Sequence, residues 1–342
     1  MSTVSTMSRI NYLDTARGWA ILLVVLGHAI QYTVANFDEN VLFRLIYAVH
    51  MPLFMFISGY VTLPSDKEKL AKLTIKARQL LLPFLFWLPV SYLAIIWVQR
   101  PEGSVTGIWP FIVQVLKNPD AGGLWFLLVL FECHVLLQAA TLAGSRRSLS
   151  LGMLMLIALN VLVLLLPACN WLGIGLLRWY FLFFLLGFAL RQYGWQPPAR
   201  VKSWLWLLVF VILASFWYRK SATPVDLWLP HLGASAKLFA VQGYHAITAL
   251  AGIVAFLGLF AALERATVLR GFGSLLNKLG RASLEIYAGH YLFLYVALRV
   301  SADYINVGVQ TFFVATIALL GAWTLARMLA VHPLPRRLFY GR

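Results

Sequence analysis

Charge is what this chain has least of. Only 12% of its 342 residues are Asp, Glu, Lys or Arg, where a soluble domain carries about a quarter. With 61% apolar residues and a mean hydropathy of +0.80, that shortfall excludes an ordinary water-soluble globule. Acid is scarcer than base: 12 Asp and Glu stand against 28 Lys and Arg, a net charge of +16. The excess would suit a nucleic acid, but the basic residues do not form one patch. They recur in alternate gaps between apolar runs, as membrane topology predicts, so no nucleic-acid partner is expected. Two cysteines, Cys133 and Cys169, both lie inside apolar runs, which excludes a disulfide framework and any cysteine metal spacing. No stretch is of low complexity, and no internal repeat of the kind carriers use is visible.

What the chain has is apolar runs of membrane length. Ten are expected as helices, each near the ~20 residues a bilayer needs: 17–36, 41–63, 79–99, 123–142, 149–168, 176–193, 202–218, 238–263, 282–300 and 308–330. The fold class is therefore all-α, a polytopic bundle in a lipid bilayer, with residues 1–342 read as a single domain. The polar Met1–Ser8 precedes a run too long for a signal peptide and without its cleavage site, so the first span is expected to stay. Ile108–Leu116 reads as an interfacial helix. Lys67, Lys69, Lys72, Lys76 and Arg78 fall in one gap; Arg146 and Arg147, then Arg191, Arg200 and Lys202, then Arg265, Arg270, Lys278 and Arg281 fill the alternate ones. Arg336, Arg337 and Arg342 follow the last run. The opposite side holds Asp38-Glu39 and two longer connections, 100–122 and 219–237, rich in Pro, Gly and Trp. Positive charge stays inside, so both termini are expected in the cytoplasm.

Ionisable residues inside such runs are costly and mark function by default. The first run carries three. At ~100° per residue, the eleven steps from Arg17 to His28 leave only ~20° of rotation and cover roughly 16 Å of rise. Asp14 falls within ~40° of the same line. The second run begins near Arg44 and continues as His50-Met51-Pro52, where Pro52 frees a carbonyl and Gly59 permits close helix approach. It is expected as one kinked helix, with His50 at a depth to meet His28 or held in packing. Lys76 and Arg78, entering the third run, suit phosphates but also suit an ordinary basic loop. Glu132 and His134 are ~200° apart and cannot share a face; Glu132, the costlier to bury, is expected to face the polar interior. Arg178 sits beside aromatics on the outer side, either to hold a sugar or polyprenyl phosphate or as an anchor. Ser283 suits an N-cap, and Glu285 suits either the helix dipole or a site. His290 lies deeper and needs a partner, while His245 is read as packing.

Four blocks together resemble the integral-membrane acyltransferase family 3, and within it the fucose 4-O-acetylase-like branch. They are Leu13-Asp14-x-x-Arg17-Gly18 with His28; His50-Met51-Pro52-Leu53-Phe54-Met55-Phe56-Ile57-Ser58-Gly59-Tyr60; Leu124-Trp125-Phe126-Leu127; and Ser283-Leu284-Glu285-Ile286-Tyr287-x-x-His290. They run from residue 9 to about 295, and the Arg, ten residues, His spacing is the specific one. The resemblance implies a bacterial inner-membrane enzyme that transfers an acyl group, usually acetyl, from cytoplasmic acetyl-CoA to a hydroxyl of a cell-surface or lipid-linked carbohydrate. It implies that Arg17 and His28 are essential. The family's Arg-x-Arg pair before the third span is here Lys76-Ala77-Arg78, which keeps the charge but loses one bidentate fork.

Under this reading His28, Arg17, Asp14 and Glu132 are the catalytic candidates. Arg17, Lys76 and Arg78 would hold the CoA donor, and His50, Arg178, Glu285 and His290 the acceptor. A neutral imidazole suits deprotonation of a sugar hydroxyl, although His28 as a transient acyl carrier is a second route. Arg17 is too far along a straight helix to reach an oxyanion at His28. No metal is expected, because the histidines lack a ligand spacing. The rival from another class is a proton-coupled transporter or flippase of a sugar conjugate, with the buried His and Glu as its relay. A second rival is the membrane-bound O-acyltransferase class, which also buries a His but does not carry these blocks.

Overall fold

The computed structural model describes residues 11–62, 69–99, 107–143, 149–165, 169–195, 203–219, 223–263, 270–301 and 306–342. Every long element among them is an α-helix: α1 (Asn11–Thr33), α2 (Val41–Tyr47), α3 (His50–Tyr60), α4 (Lys69–Gln99), α5 (Ile108–Lys117), α6 (Trp125–Ala143), α7 (Leu149–Leu165), α8 (Ile174–Gln192), α9 (Ser203–Ser215), α10 (Pro224–Trp228), α11 (Ala234–Leu263), α12 (Arg270–Arg281), α13 (Ser283–Val300), α14 (Val307–Leu329) and α15 (Pro333–Tyr340). Six segments of the described chain are long and apolar enough to cross a membrane: α1, Val41–Tyr60, Leu73–Trp97, Trp171–Gln192, Ala236–Leu263 and α14. The other expected spans coincide with α6, α7, α9 and α13, and the expected interfacial helix is α5. Of the basic gap residues, Lys67, Arg146, Arg147, Arg200, Lys202 and Arg265 lie outside the described residues.

Three local readings are corrected. The second run is two helices, not one kinked helix. Pro52 is the third residue of α3, where its missing N–H is one that a first turn leaves unpaired anyway. It starts a helix instead of bending one, and Val49 (φ −132°) forms the joint. Ser283 is the first helical residue and not the N-cap; Ala282 stands there with no side-chain cap. Finally, residues 270–281 form a helix where the sequence shows a basic, glycine-containing gap. Helix α12 is amphipathic and polar, and docking against α1 stabilises it.

That docking uses glycine. A Cβ at Gly18 would collide with the backbone of Leu276, and one at Gly280 with the carbonyl of Asp14. Gly59 and Gly187 play the same part between α3 and α8, facing the backbones of Phe184 and Phe56. Small residues let helix backbones approach closely where lipid supplies no hydrophobic drive. The α3–α8 seam is then filled by Phe56, Phe181, Phe183 and Phe184, all buried. Outward faces carry exposed Leu93, Val161, Trp204, Leu208 and Phe312, a band of apolar surface that suits lipid and not water. Helix α15 returns across α4, where Trp87 Nε1 donates to the carbonyl of Phe339 at 3.1 Å and Tyr340 is buried.

Candidate active site

Among the described residues, the bundle holds a cavity toward each end of α1. The first has a volume of about 460 Å³ and is lined by four cations, Arg17, Lys76, Arg281 and Arg342. Asp14, 3% exposed, lies 3.4 Å from Arg17 and 3.7 Å from Arg281. Glu285 accepts from Arg342 at 2.7 Å. Four cations against two carboxylates leave this basic cavity with a positive surplus, so its natural occupant is an anion. Its polar wall also includes Ser58, Gln79, Ser283 and His134. The Nδ1–H of His134 donates to the carbonyl of Leu130 at 2.7 Å, while Nε2 has no partner among the described residues.

The second cavity, about 410 Å³, is lined by Trp125, Trp179, Trp217, Tyr32, Tyr47, Tyr180 and Tyr291. His28, His50, His245, Gln31, Asn118, Asp120 and Arg219 supply its polar groups. Three connections meet at its rim: Arg219 lies 2.8 Å from Asp120, and its backbone N–H donates to Asp38 at 2.8 Å. Burial works against the Arg219 charge, but Asp120 and the surrounding tyrosines outweigh it and hold its pKa above the usual arginine value. These connections are the ones the charge pattern places together on one side.

His28 lines the aromatic cavity and meets Gln31, Tyr47 and Tyr291. Tyr47 donates to Gln31 Oε1 at 2.5 Å, which marks that oxygen as an acceptor. His28 Nδ1 is 3.3 Å from the same oxygen and 3.1 Å from the Tyr47 hydroxyl. An amide oxygen can only accept, so the proton of the neutral ring belongs on Nδ1 and the lone pair on Nε2. The Tyr291 hydroxyl stands 3.0 Å from Nδ1 and 3.2 Å from Nε2 of the same ring. His290 stacks on His28 with ring centroids 5.4 Å apart. Its Nδ1–H donates to the carbonyl of Tyr287 at 2.6 Å, and that of His50 to Ile46 at 2.7 Å, the carbonyl beside the α2–α3 joint. Among the described residues His290 Nε2 has no hydrogen-bond partner.

The expected residues thus fall into groups. Arg17 and Lys76 meet in the basic cavity, with Asp14 and Glu285 as partners of its cations. His28 and His50 meet in the aromatic one, with His290 stacked behind. Three are not brought to either cavity. Arg78 is exposed on α4 and is not among the lining residues. Arg178 donates to the carbonyl of Leu164 at 2.7 Å and caps the C-terminal end of α7, the anchoring alternative. The expectation for α6 is reversed: His134 lines a cavity and Glu132 lines neither. Glu285 lies with the basic cavity and not with the acceptor side. Nothing local in the sequence marks Arg342, Arg219 or Asp120 as site residues. Gln31 was findable as the residue one turn beyond His28, and Tyr291 as the neighbour of His290. His245, read as packing, has its ring 5.0 Å from Trp217 and lines the aromatic cavity.

The fold and its two cavities define a polytopic membrane protein with a histidine-centred internal site. The chain belongs to acyltransferase family 3: that family's acyltransferase-domain profile matches residues 10–327. Among its relatives are nodulation protein NolL of Mesorhizobium japonicum, 30% identical over 239 residues covering 66% of this chain, and NolL of Sinorhizobium fredii, 30% identical over 190 residues covering 52%. The matched regions span 61% and 48% of those two proteins. No solved structure matches the chain.

Proposed function

We propose that the chain is a membrane O-acyltransferase moving an acyl group, acetyl in the simplest case, from cytoplasmic acyl-CoA to a carbohydrate hydroxyl outside. The observation that supports this most directly is the end-to-end arrangement: a positively charged cavity at one end of α1, an aromatic cavity at the other, and His28 beside the second. In this reading the basic cavity opens to the cytoplasm of a bacterial inner membrane and both termini lie on that side. Arg17, Lys76, Arg281 and Arg342 take the phosphates of CoA, with Asp14 and Glu285 holding three of these cations in place. The extended pantetheine arm spans the ~16 Å of rise between Arg17 and His28.

On the far side the tryptophans and tyrosines offer flat apolar faces to a sugar ring, and Asp120 with Arg219 offers hydrogen bonds to its hydroxyls. His28 Nε2 takes the proton of the acceptor hydroxyl as its oxygen attacks the thioester carbonyl. The tetrahedral intermediate collapses, the C–S bond breaks, and the same proton passes to the leaving thiolate. Tyr291, whose hydroxyl lies against the His28 ring, is the donor placed to meet the developing oxyanion.

Membranes containing the chain, given acetyl-labelled acetyl-CoA on the cytoplasmic side, are expected to place label in extractable envelope glycan. His28→Ala and Arg17→Ala at equal protein level are expected to abolish or strongly reduce it. Two cavities end to end also suit a carrier, but a carrier moves its substrate intact and would leave the glycan unlabelled. That result, with no loss of acetyl-CoA, would replace this reading with transport.

A further inference from the structure

Among the described residues, Tyr287 is the one side chain that lines both cavities. It comes from α13, is 4% exposed, and its hydroxyl reaches across to the start of α6. There it donates to the carbonyl of Gly123 at 2.9 Å and accepts from the backbone N–H of Phe126 at 3.2 Å. Phe126 meets the ring edge-on at 5.3 Å, and Phe54 backs Phe126 at 5.7 Å. Both phenylalanines belong to the basic cavity only. The ring is thus fastened at both ends, through its own helix and through a pair of backbone hydrogen bonds, and it stands across the line between the cavities.

We propose that Tyr287 is the partition that, while the acceptor site is empty, holds the thioester on the basic side, away from His28 and the water of the aromatic cavity, and so fixes transfer to the acceptor in preference to hydrolysis. The proposal rests on the acyltransferase reading above. The side reaction it suppresses is simple. Water attacks the thioester carbonyl, His28 takes the water proton, a C–O bond forms and the C–S bond breaks. The thiolate then recovers the proton, giving a carboxylic acid and free CoA. Water exclusion of this kind is how closed sites avoid wasting a reactive donor. Tyr287 touches neither the reacting hydroxyl nor His28 in this geometry, so it is a positioning residue. Its backbone bonds matter as much as its bulk: with the hydroxyl removed, the ring is free to leave the line between the cavities.

The test uses full-length chain in vesicles, supplied with acetyl-CoA and no glycan, with release of CoA thiol as the readout. Wild type is expected to release thiol slowly. Tyr287→Ala is expected to raise the rate on the order of tenfold, equivalent to ~1.4 kcal/mol in the barrier, and Tyr287→Phe to fall between. Adding His28→Ala to Tyr287→Ala is expected to remove the gain. Should Tyr287→Ala not fold, Phe126→Ala opens the same wall from the other side and takes its place. Equilibrium binding of acetyl-CoA to wild type is measured alongside. No binding would sink the acyltransferase reading itself. Binding by wild type and variants, with thiol release no faster in Tyr287→Ala, Tyr287→Phe or Phe126→Ala, would overturn the partition.

Discussion

Arg17 carries two demands that a single substitution separates. It is paired with Asp14 at 3.4 Å and lines a cavity with three further cations. Arg17→Lys keeps the charge but loses the planar fork. It is expected to raise the KM for acetyl-CoA modestly, whereas Arg17→Ala, losing a charge-assisted contact of ~1.5–3 kcal/mol, is expected to raise it roughly ten- to a hundredfold. Saturation kinetics in vesicles reads the difference; equal KM values in all three proteins would remove Arg17 from the donor site. Gln31 offers the complementary case. Gln31→Leu removes the acceptor that sets the His28 tautomer, and is expected to lower kcat about fivefold, one hydrogen bond's worth, with little change in KM for acetyl-CoA.

Residues of this kind were legible where one helix alone relates them. The Arg17–His28 stripe is a matter of period, and along α1 the two residues open to different cavities. Glu132 and His134 show where period stops helping. Helix α6 is apolar all round, so its sequence does not say which side faces inward, and the cost of burying a carboxylate pointed to the wrong one. Arg342, Asp120 and Arg219 were illegible for a plainer reason. Their partners are far away in sequence, and nothing local marks a cation that will meet Glu285, 57 positions earlier.

At the scale of elements, α1 and α12 touch backbone to backbone. Gly18→Leu drives a side chain into the Leu276 carbonyl, and overpacking typically costs about 1–3 kcal/mol. Detergent-solubilised Gly18→Leu is therefore expected to melt several degrees below wild type, as is Gly59→Leu at the α3–α8 seam. Unchanged melting would mean these seams yield. Helix α12 itself was hidden because its glycines and charges read as a linker, and only the partner α1 makes it a helix. Pro52 was hidden differently: a proline inside an apolar run reads as a kink until the joint before it is seen.

Helix α10 carries a pH signature outside the membrane spans. Asp226 accepts from Lys237 and from Thr223, and these bonds lower its pKa to about 2. A depressed carboxylate contributes order that is fully present above its unfolded value near ~3.9 and lost as pH falls through the folded one. Proteolysis within 223–237 is therefore expected to be flat above about pH 4 and to rise as the pH is lowered toward 2. Asp226→Asn should show the raised cleavage at neutral pH.

For the whole molecule, the three connections that the charge pattern puts on one side meet at Asp38, Asp120 and Arg219. The helical class and the positions of the main helices were legible because a bilayer demands length and apolarity together. The cavities were not, since each is assembled from side chains of many helices. One contact ties the two ends. The Tyr287 hydroxyl holds the carbonyl of Gly123, three residues beyond the Asp120 that pairs with Arg219. Under the proposed reaction, a ligand that shifts Asp120 is expected to pull on the same short segment that anchors Tyr287, which would link donor and acceptor energetically. Such linkage is reciprocal. Whatever factor a bound acceptor applies to acetyl-CoA affinity, bound acetyl-CoA applies to the acceptor, and Tyr287→Phe should bring that factor toward unity in both directions.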